Sequence, residues 1–243
     1  MVTGSTLGIG AGIAKAFYAT GDRVVISARR DNGFAASLGT RALFQSADVT
    51  EPAQLHQLVE TAMSWTGRLD VFINNAGLSS WRPLALVDES FWHSMLDVNL
   101  KSVLFGCQAA AAALNAGGVI INISSMAAKR GTANNSVYCA AKFGVNGVTQ
   151  ALAKELGPRK IRVNAVCPVL VATEGLLAAL DQEHSPAKDC AVDFLESFAR
   201  SNAALGRLPT VAEVAEYCVY LASPQASALT GQCINVDCGV FPQ

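Results

Sequence analysis

The chain has 243 residues, enough for one large domain to bury roughly three quarters of the surface its unfolded form exposes without a metal or disulfide staple. Lys and Arg number 18 against 19 Asp and Glu, a net charge of −1. No basic run is present that could follow a phosphate backbone or an anionic bilayer, which argues against nucleic acid and membrane surfaces as partners.

In chain order the first feature is a glycine-rich turn. Thr3, Gly4, Ser5, Thr6, Leu7, Gly8, Ile9 and Gly10 follow the start of an apolar strand and open a helix expected over residues 11–20. Glycines in this spacing let backbone amides approach a pyrophosphate, and the helix N-terminus adds the complementary partial charge. Only Met1 and Val2 precede the turn, whereas a central strand runs about five or six residues. Either the first strand is stunted or residues upstream belong to it, and the second reading is preferred. Further strands are expected over residues 24–26, 71–73, 119–123, 161–166 and 233–236, and helices over 52–65, 89–113, 136–156 and 211–221. Strands alternating with helices imply a parallel sheet wound on both sides by right-handed crossovers. An apolar content of 51% with only 15% charged residues fits strands covered on both faces. Residues 173–208 interrupt the alternation with a long polar and apolar mixture, which reads as a substrate lid.

The uncharged stretch 102–128 has the length of a membrane span, but Asn115, Gly117, Gly118, Asn122 and two serines break it, and alanines dominate its first half. It reads as a buried helix, a Gly-Gly turn and a buried strand. The start of the chain lacks a cationic segment followed by an apolar one, so no secretory signal is expected. Seven cysteines, an odd number without a C-x-x-C pair, and three scattered histidines point to reduced thiols in a cytoplasm and to no zinc site.

Chemistry is concentrated in the second half. Tyr138 and Lys142 stand four positions apart, on one helical face, with Ser125 thirteen residues upstream of the tyrosine. A phenol titrates near pH ~10 and is a sluggish acid at neutrality, and a neighbouring ammonium favours the phenolate. Such a group can hand a proton to a carbonyl oxygen.

Together these residues resemble the short-chain dehydrogenase/reductase family, over nearly the whole chain. The likeness lies in ordered signals: the turn from Thr3 to Gly10, Asp48-Val49, Asn74-Asn75-Ala76-Gly77, Asn99, Ser124-Ser125, Tyr138 with Lys142, Pro168 leading to Thr173, and Leu229-Thr230-Gly231-Gln232. The resemblance implies a single-domain, doubly wound Rossmann-like α/β fold spanning residues 1–243. It also implies hydride exchange between a nicotinamide and a carbonyl or alcohol. Tyr138 would be the general acid or base and Ser125 the hydrogen-bonding partner of the substrate oxygen. Lys142 would lower the Tyr138 pKa and hold the nicotinamide ribose, and Asn99 would bend its helix to bind a proton-relaying water. Gly4, Gly8, Ile9 and Gly10 would line the pyrophosphate, Asp48 and Val49 the adenine, Asn75 and Gly77 the adenosine side, and Val171 and Thr173 the carboxamide end. Homologues commonly form tetramers, so a homotetramer is expected.

Choice of nicotinamide turns on the end of the second strand. An acid there would bind the ribose 2′-hydroxyl, but Ala28 takes that position and Arg29 follows. A forked cation suits a phosphate, which favours NADP(H) over NAD(H), although arginine also stacks on adenine without a 2′-phosphate. Two departures from the family pattern stand out: Val169 follows Pro168 where glycine is usual, and Cys238 replaces the first of two glycines near the end. No basic neighbour of Cys238 is evident, which makes it a packing thiol. Ser79, Ser80, Trp81, Met126, Ala127, Asn134, Asn135, Val169, Leu170 and the lid are the candidate pocket walls. Their serines and asparagines favour a small polar ketone, a hydroxy acid or a sugar-like polyol over a steroid. Two other functions compete: a dinucleotide-binding regulator on the same fold, and an epimerase or dehydratase that retains its cofactor.

Overall fold

A computed structural model describes residues 1–242. Six parallel strands are assigned: β1 (Val24–Ala28), β2 (Ala42–Ser46), β3 (Val71–Asn74), β4 (Val119–Ile123), β5 (Arg162–Pro168) and β6 (Cys233–Val236). β1 pairs with β2, and β3 to β6 form a consecutive ladder. Val2 joins the two groups by bridging to Ile26 and to Ile73. It donates its amide to Val25 O at 3.0 Å, while the Met1 carbonyl accepts from Ile73 N at 3.0 Å. The central position of the sheet is therefore held by residues 1–3, a short strand.

Nine α-helices accompany the strands among the described residues: α1 (Gly8–Ala19), α2 (Phe34–Leu38), α3 (Pro52–Thr66), α4 (Glu89–Leu96), α5 (Ser102–Ala113), α6 (Ser136–Leu156), α7 (Glu174–Leu180), α8 (Ala191–Asn202) and α9 (Val211–Ala222). Side chains alternate across each strand. Phe72, Ile120 and Val163 face a core shared with Leu55, Leu58 and Val103, whereas Ile73, Ile121 and Val166 face one shared with Ile13, Phe17 and Leu221. Helices α3, α5 and α6 thus cover one face and α1 and α9 the other, giving the doubly wound single domain.

Three expectations need correction. The single helix over 89–113 is broken: Asp97–Lys101 form a π turn between α4 and α5. Strand β2 and the short α2 lie where the sequence signals no element. The excursion 173–208 is helical in two places, and α7 and α8 pack on Trp81, Ala179, Leu180 and Leu195 in a small core of their own.

Candidate active site

The carboxyl ends of the strands meet a cavity of about 860 Å³ lined by Ile9 at the start of α1, the ends of β3, β4 and β5, the start of α6, and α7 with α8. This is where an open parallel sheet presents ligands. Ile9, Asn75, Gly77, Asn99, Ser125, Tyr138, Lys142, Val171 and Thr173 all line it.

Local chemistry explains the glycine-rich turn. Gly4 has φ 58°, and a Cβ there would lie 2.8 Å from the Ala76 Cα. Gly10 faces Asn75 Nδ2 and the Gly4 carbonyl so closely that any side chain would collide with both. Asn75 fastens the two loops, its Nδ2 donating to Thr3 O at 3.0 Å and Gly4 O at 2.9 Å. Gly8 packs beside Thr173. Helix α1 begins with no side-chain cap and no acid in its first turn, whereas Asp88, Thr173 and Thr210 cap α4, α7 and α9. Its first amides are thus left for an external acceptor, and the bare backbone cradle fits a dinucleotide pyrophosphate.

Arg29 is exposed just beyond β1. Asp48, after β2, has its carboxyl held below the ordinary value, chiefly by the Thr50 amide and hydroxyl at 2.9 and 2.7 Å and to a smaller extent by the Arg29 charge. Val49 packs against the α3 and α5 core. Gly4, Gly8, Gly10, Arg29, Asp48 and Val49 do not border the main cavity. They lie along the turn and the neighbouring strand ends.

At the other half of the site, Ser125 lies two residues beyond β4 and its Oγ accepts from Ala127 N at 3.1 Å. Ser124 turns inward, donating to Asn146 Oδ1 at 2.8 Å. Lys142 is buried, donates from Nζ to Ile123 O at 3.0 Å, and sits 5.6 Å from the Tyr138 ring centroid. Burial pushes the Tyr138 phenol up to about 12, against the opposing pull of hydrogen bonds with Ser125 and Ser79. Burial also brings the Lys142 ammonium down to about 8. The expected acidification of the phenol by the lysine does not appear, and loss of water sets the direction of its shift. Asn99 lies in the π turn with its side chain fully buried; Nδ2 donates to Leu78 O and Met95 O at 3.0 and 2.9 Å, and Oδ1 accepts from Leu78 N at 3.1 Å.

Among the proposed walls, Ser79, Trp81, Met126, Ala127, Asn135, Val169 and Leu170 line the cavity, while Ser80 and Asn134 do not. Phe194 and Phe198 on α8 and Gln182 after α7 join them, residues the sequence gathered only as part of a lid. Lys129 donates Nζ to Cys233 O at 2.6 Å. Cys238 has φ 53°, a conformation that favours glycine and explains the family's usual residue there. Arg207 is the basic neighbour that sequence reading missed, yet burial still raises the thiol.

A phosphate cradle joined to a Ser, Tyr and Lys cluster on a doubly wound sheet defines a dinucleotide-dependent oxidoreductase. Residues 4–241 match the family model described as enoyl-(acyl carrier protein) reductase, and the chain belongs to the short-chain dehydrogenase/reductase family. It is similar to an uncharacterized oxidoreductase of Methylorubrum extorquens, 36% identical over 99% of this chain and 96% of that one. It is also 36% identical to L-2,3-butanediol dehydrogenase of Corynebacterium glutamicum, over 99% of this chain and 97% of that protein. A variant of actinorhodin polyketide ketoreductase solved with NADPH superposes with a TM-score of 0.90 and 31% identity, covering 98% of this chain and 95% of that one. General NAD(P)-dependent oxidoreductase activity follows from this membership.

Proposed function

We propose that the protein interconverts a carbonyl compound and its alcohol, with Tyr138 as general acid or base and Ser125 as the group that holds the substrate oxygen. The observation that carries this reading is the convergence of Ser125, Tyr138 and Lys142 on one cavity beside an uncapped, glycine-cradled helix start. A bound nicotinamide supplies the hydride in one direction and takes it in the other. Ser125 orients the carbonyl oxygen toward the phenol, and Tyr138 delivers its proton there as the carbon is reduced. Lys142, close to Gly77 in the cavity wall, holds the ribose and stabilises the developing phenolate. Asn99 acts by shaping the π turn that supports this corner. Ser124 has no part, being committed to Asn146.

NADP(H) is the preferred cofactor, on the strength of Ala28 and the exposed Arg29 where an acid would select NAD(H). Gly4, Gly8, Ile9, Gly10, Asp48, Val49, Asn75, Gly77, Val171 and Thr173 contact it. Residues 173–208 serve as the lid, the protein works in the cytoplasm, and a homotetramer assembles through the helices that expose Trp92, Leu104 and Phe143.

Substrates are small polar ketones, hydroxy acids or polyols, a class that includes the compound named for the butanediol dehydrogenase relative. The test is absorbance of the reduced nicotinamide with each cofactor and a panel of such compounds. Tyr138→Phe is expected to cut turnover by about 100-fold or more. Retained turnover in that variant would refute the assignment, and tight cofactor binding without turnover of any substrate would favour a regulator.

A further inference from the structure

Among the described residues, the cavity that holds Ser125 and Tyr138 is bordered by two charged side chains, Arg130 and Lys142, and by no carboxylate. Lys142 is buried and donates Nζ to Ile123 O. Arg130 is exposed and takes part in none of the ion pairs of the described residues. Its guanidinium lies 5.8 Å from the centre of the Phe241 ring, and Phe241 follows Val240, which is itself part of the cavity wall.

The backbone puts this cation on the Ser125 side of the cavity. Ala128 N donates to Ser125 O at 2.9 Å and Arg130 N to Met126 O at 3.2 Å, so the chain folds back directly after Ser125. Met126, Ala127, Arg130 and Thr132 from this one segment all border the cavity, whereas the glycine-rich turn contributes only Ile9. Thr132 Oγ1 accepts from Asn135 Nδ2 at 3.3 Å, which leaves its own proton for another acceptor. A positive group at the edge of apolar walls such as Trp81, Phe194 and Phe198, with no acid to oppose it, raises the local concentration of anions. Its guanidinium fork matches a carboxylate.

We infer that Arg130 is a specificity-determining residue that binds a carboxylate carried by the substrate. Oxo acids and the corresponding hydroxy acids are then preferred to neutral ketones and polyols. This rests on the carbonyl-reductase reading above and narrows it.

The experiment measures kcat/KM for 4-oxopentanoate and 5-oxohexanoate, each beside its neutral methyl ester, at saturating reduced nicotinamide. At least one acid should exceed its ester by about 10-fold, as for a charge-assisted contact that solvent partly screens. Arg130→Gln should remove most of that ratio through KM, Arg130→Lys should keep part of it, and added salt should shrink it in the parent. In parallel, calorimetry with the oxidised nicotinamide bound, which cannot reduce a ketone, reads affinity for the same four compounds without turnover. Acids that are no better than their esters in turnover or in binding, a preference that survives Arg130→Gln, or a nicotinamide KM that rises in step with that of the acid would each overturn the inference. Tyr138→Phe should lose turnover and keep the calorimetric preference. If it stays active, the broader reading fails, while the calorimetry still judges Arg130.

Discussion

Replacing Lys142 by methionine should make the cofactor-free protein respond differently to pH, by an amount that follows from where the lysine sits. Its ammonium titrates at 10.5 ordinarily and at about 8 in the fold, lowered by burial. Below pH 8 both folded and unfolded chains carry the proton, so the whole cost of burying the charge is present, about 3 kcal/mol at roughly 1.4 kcal/mol per pH unit. Between pH 8 and 10.5 the unfolded chain retains a proton that the folded chain has lost, and stability rises with pH. Above that window the cost is gone. Methionine has similar length and no charge, so the stability of Lys142→Met relative to the parent should fall by about 2 kcal/mol between pH 7 and pH 10. Loss of the bond to Ile123 O shifts the comparison by a similar amount at both pH values, and the cysteines and tyrosines titrate in both chains. Urea unfolding at the two pH values, with matched slopes, measures the difference. A gap that stays constant or widens with pH would show that the lysine is not held as a penalised charge. The expected result means that the site keeps a destabilising residue for the sake of its chemistry.

Gly10→Ala should weaken dinucleotide binding by at least about 10-fold in a fluorescence titration, because its Cβ displaces Asn75 and the Gly4 carbonyl; unchanged affinity would refute the cradle. Asn122→Ala should cost about 2–4 kcal/mol in thermal or urea unfolding. It strips partners from Asn74 and Thr149, which bond to Asn122 at 2.9 Å on either side in the core, and a loss near zero would mean the network is idle. Cys238→Gly should stabilise the fold by roughly 0.5–1 kcal/mol by relieving its left-handed backbone. A fall in melting temperature would show that the thiol's packing outweighs the strain.

The phosphate turn and the Ser, Tyr and Lys spacing were legible in sequence because both depend on local geometry: glycines where a backbone must come close, and a four-residue step on one helix. What escaped depends on surroundings. Strand β2 has no fully buried residue, so an edge strand of mixed polarity leaves no apolar run to find. The π turn around Asn99 inserts its extra residue among ordinary helix formers, and periodicity over one turn cannot register it. Proximity rules anticipated the charge of Lys142 but not the water lost around Tyr138, which decides the direction of its shift.

The small core that Trp81 forms with α7 and α8 divides the labour of the molecule. The glycine-rich turn is tied to the sheet through Val2 and Asn75. The segment proposed as the lid instead has a small core of its own, so variation there would retool what the proposed site accepts while the glycine-rich turn stays in place.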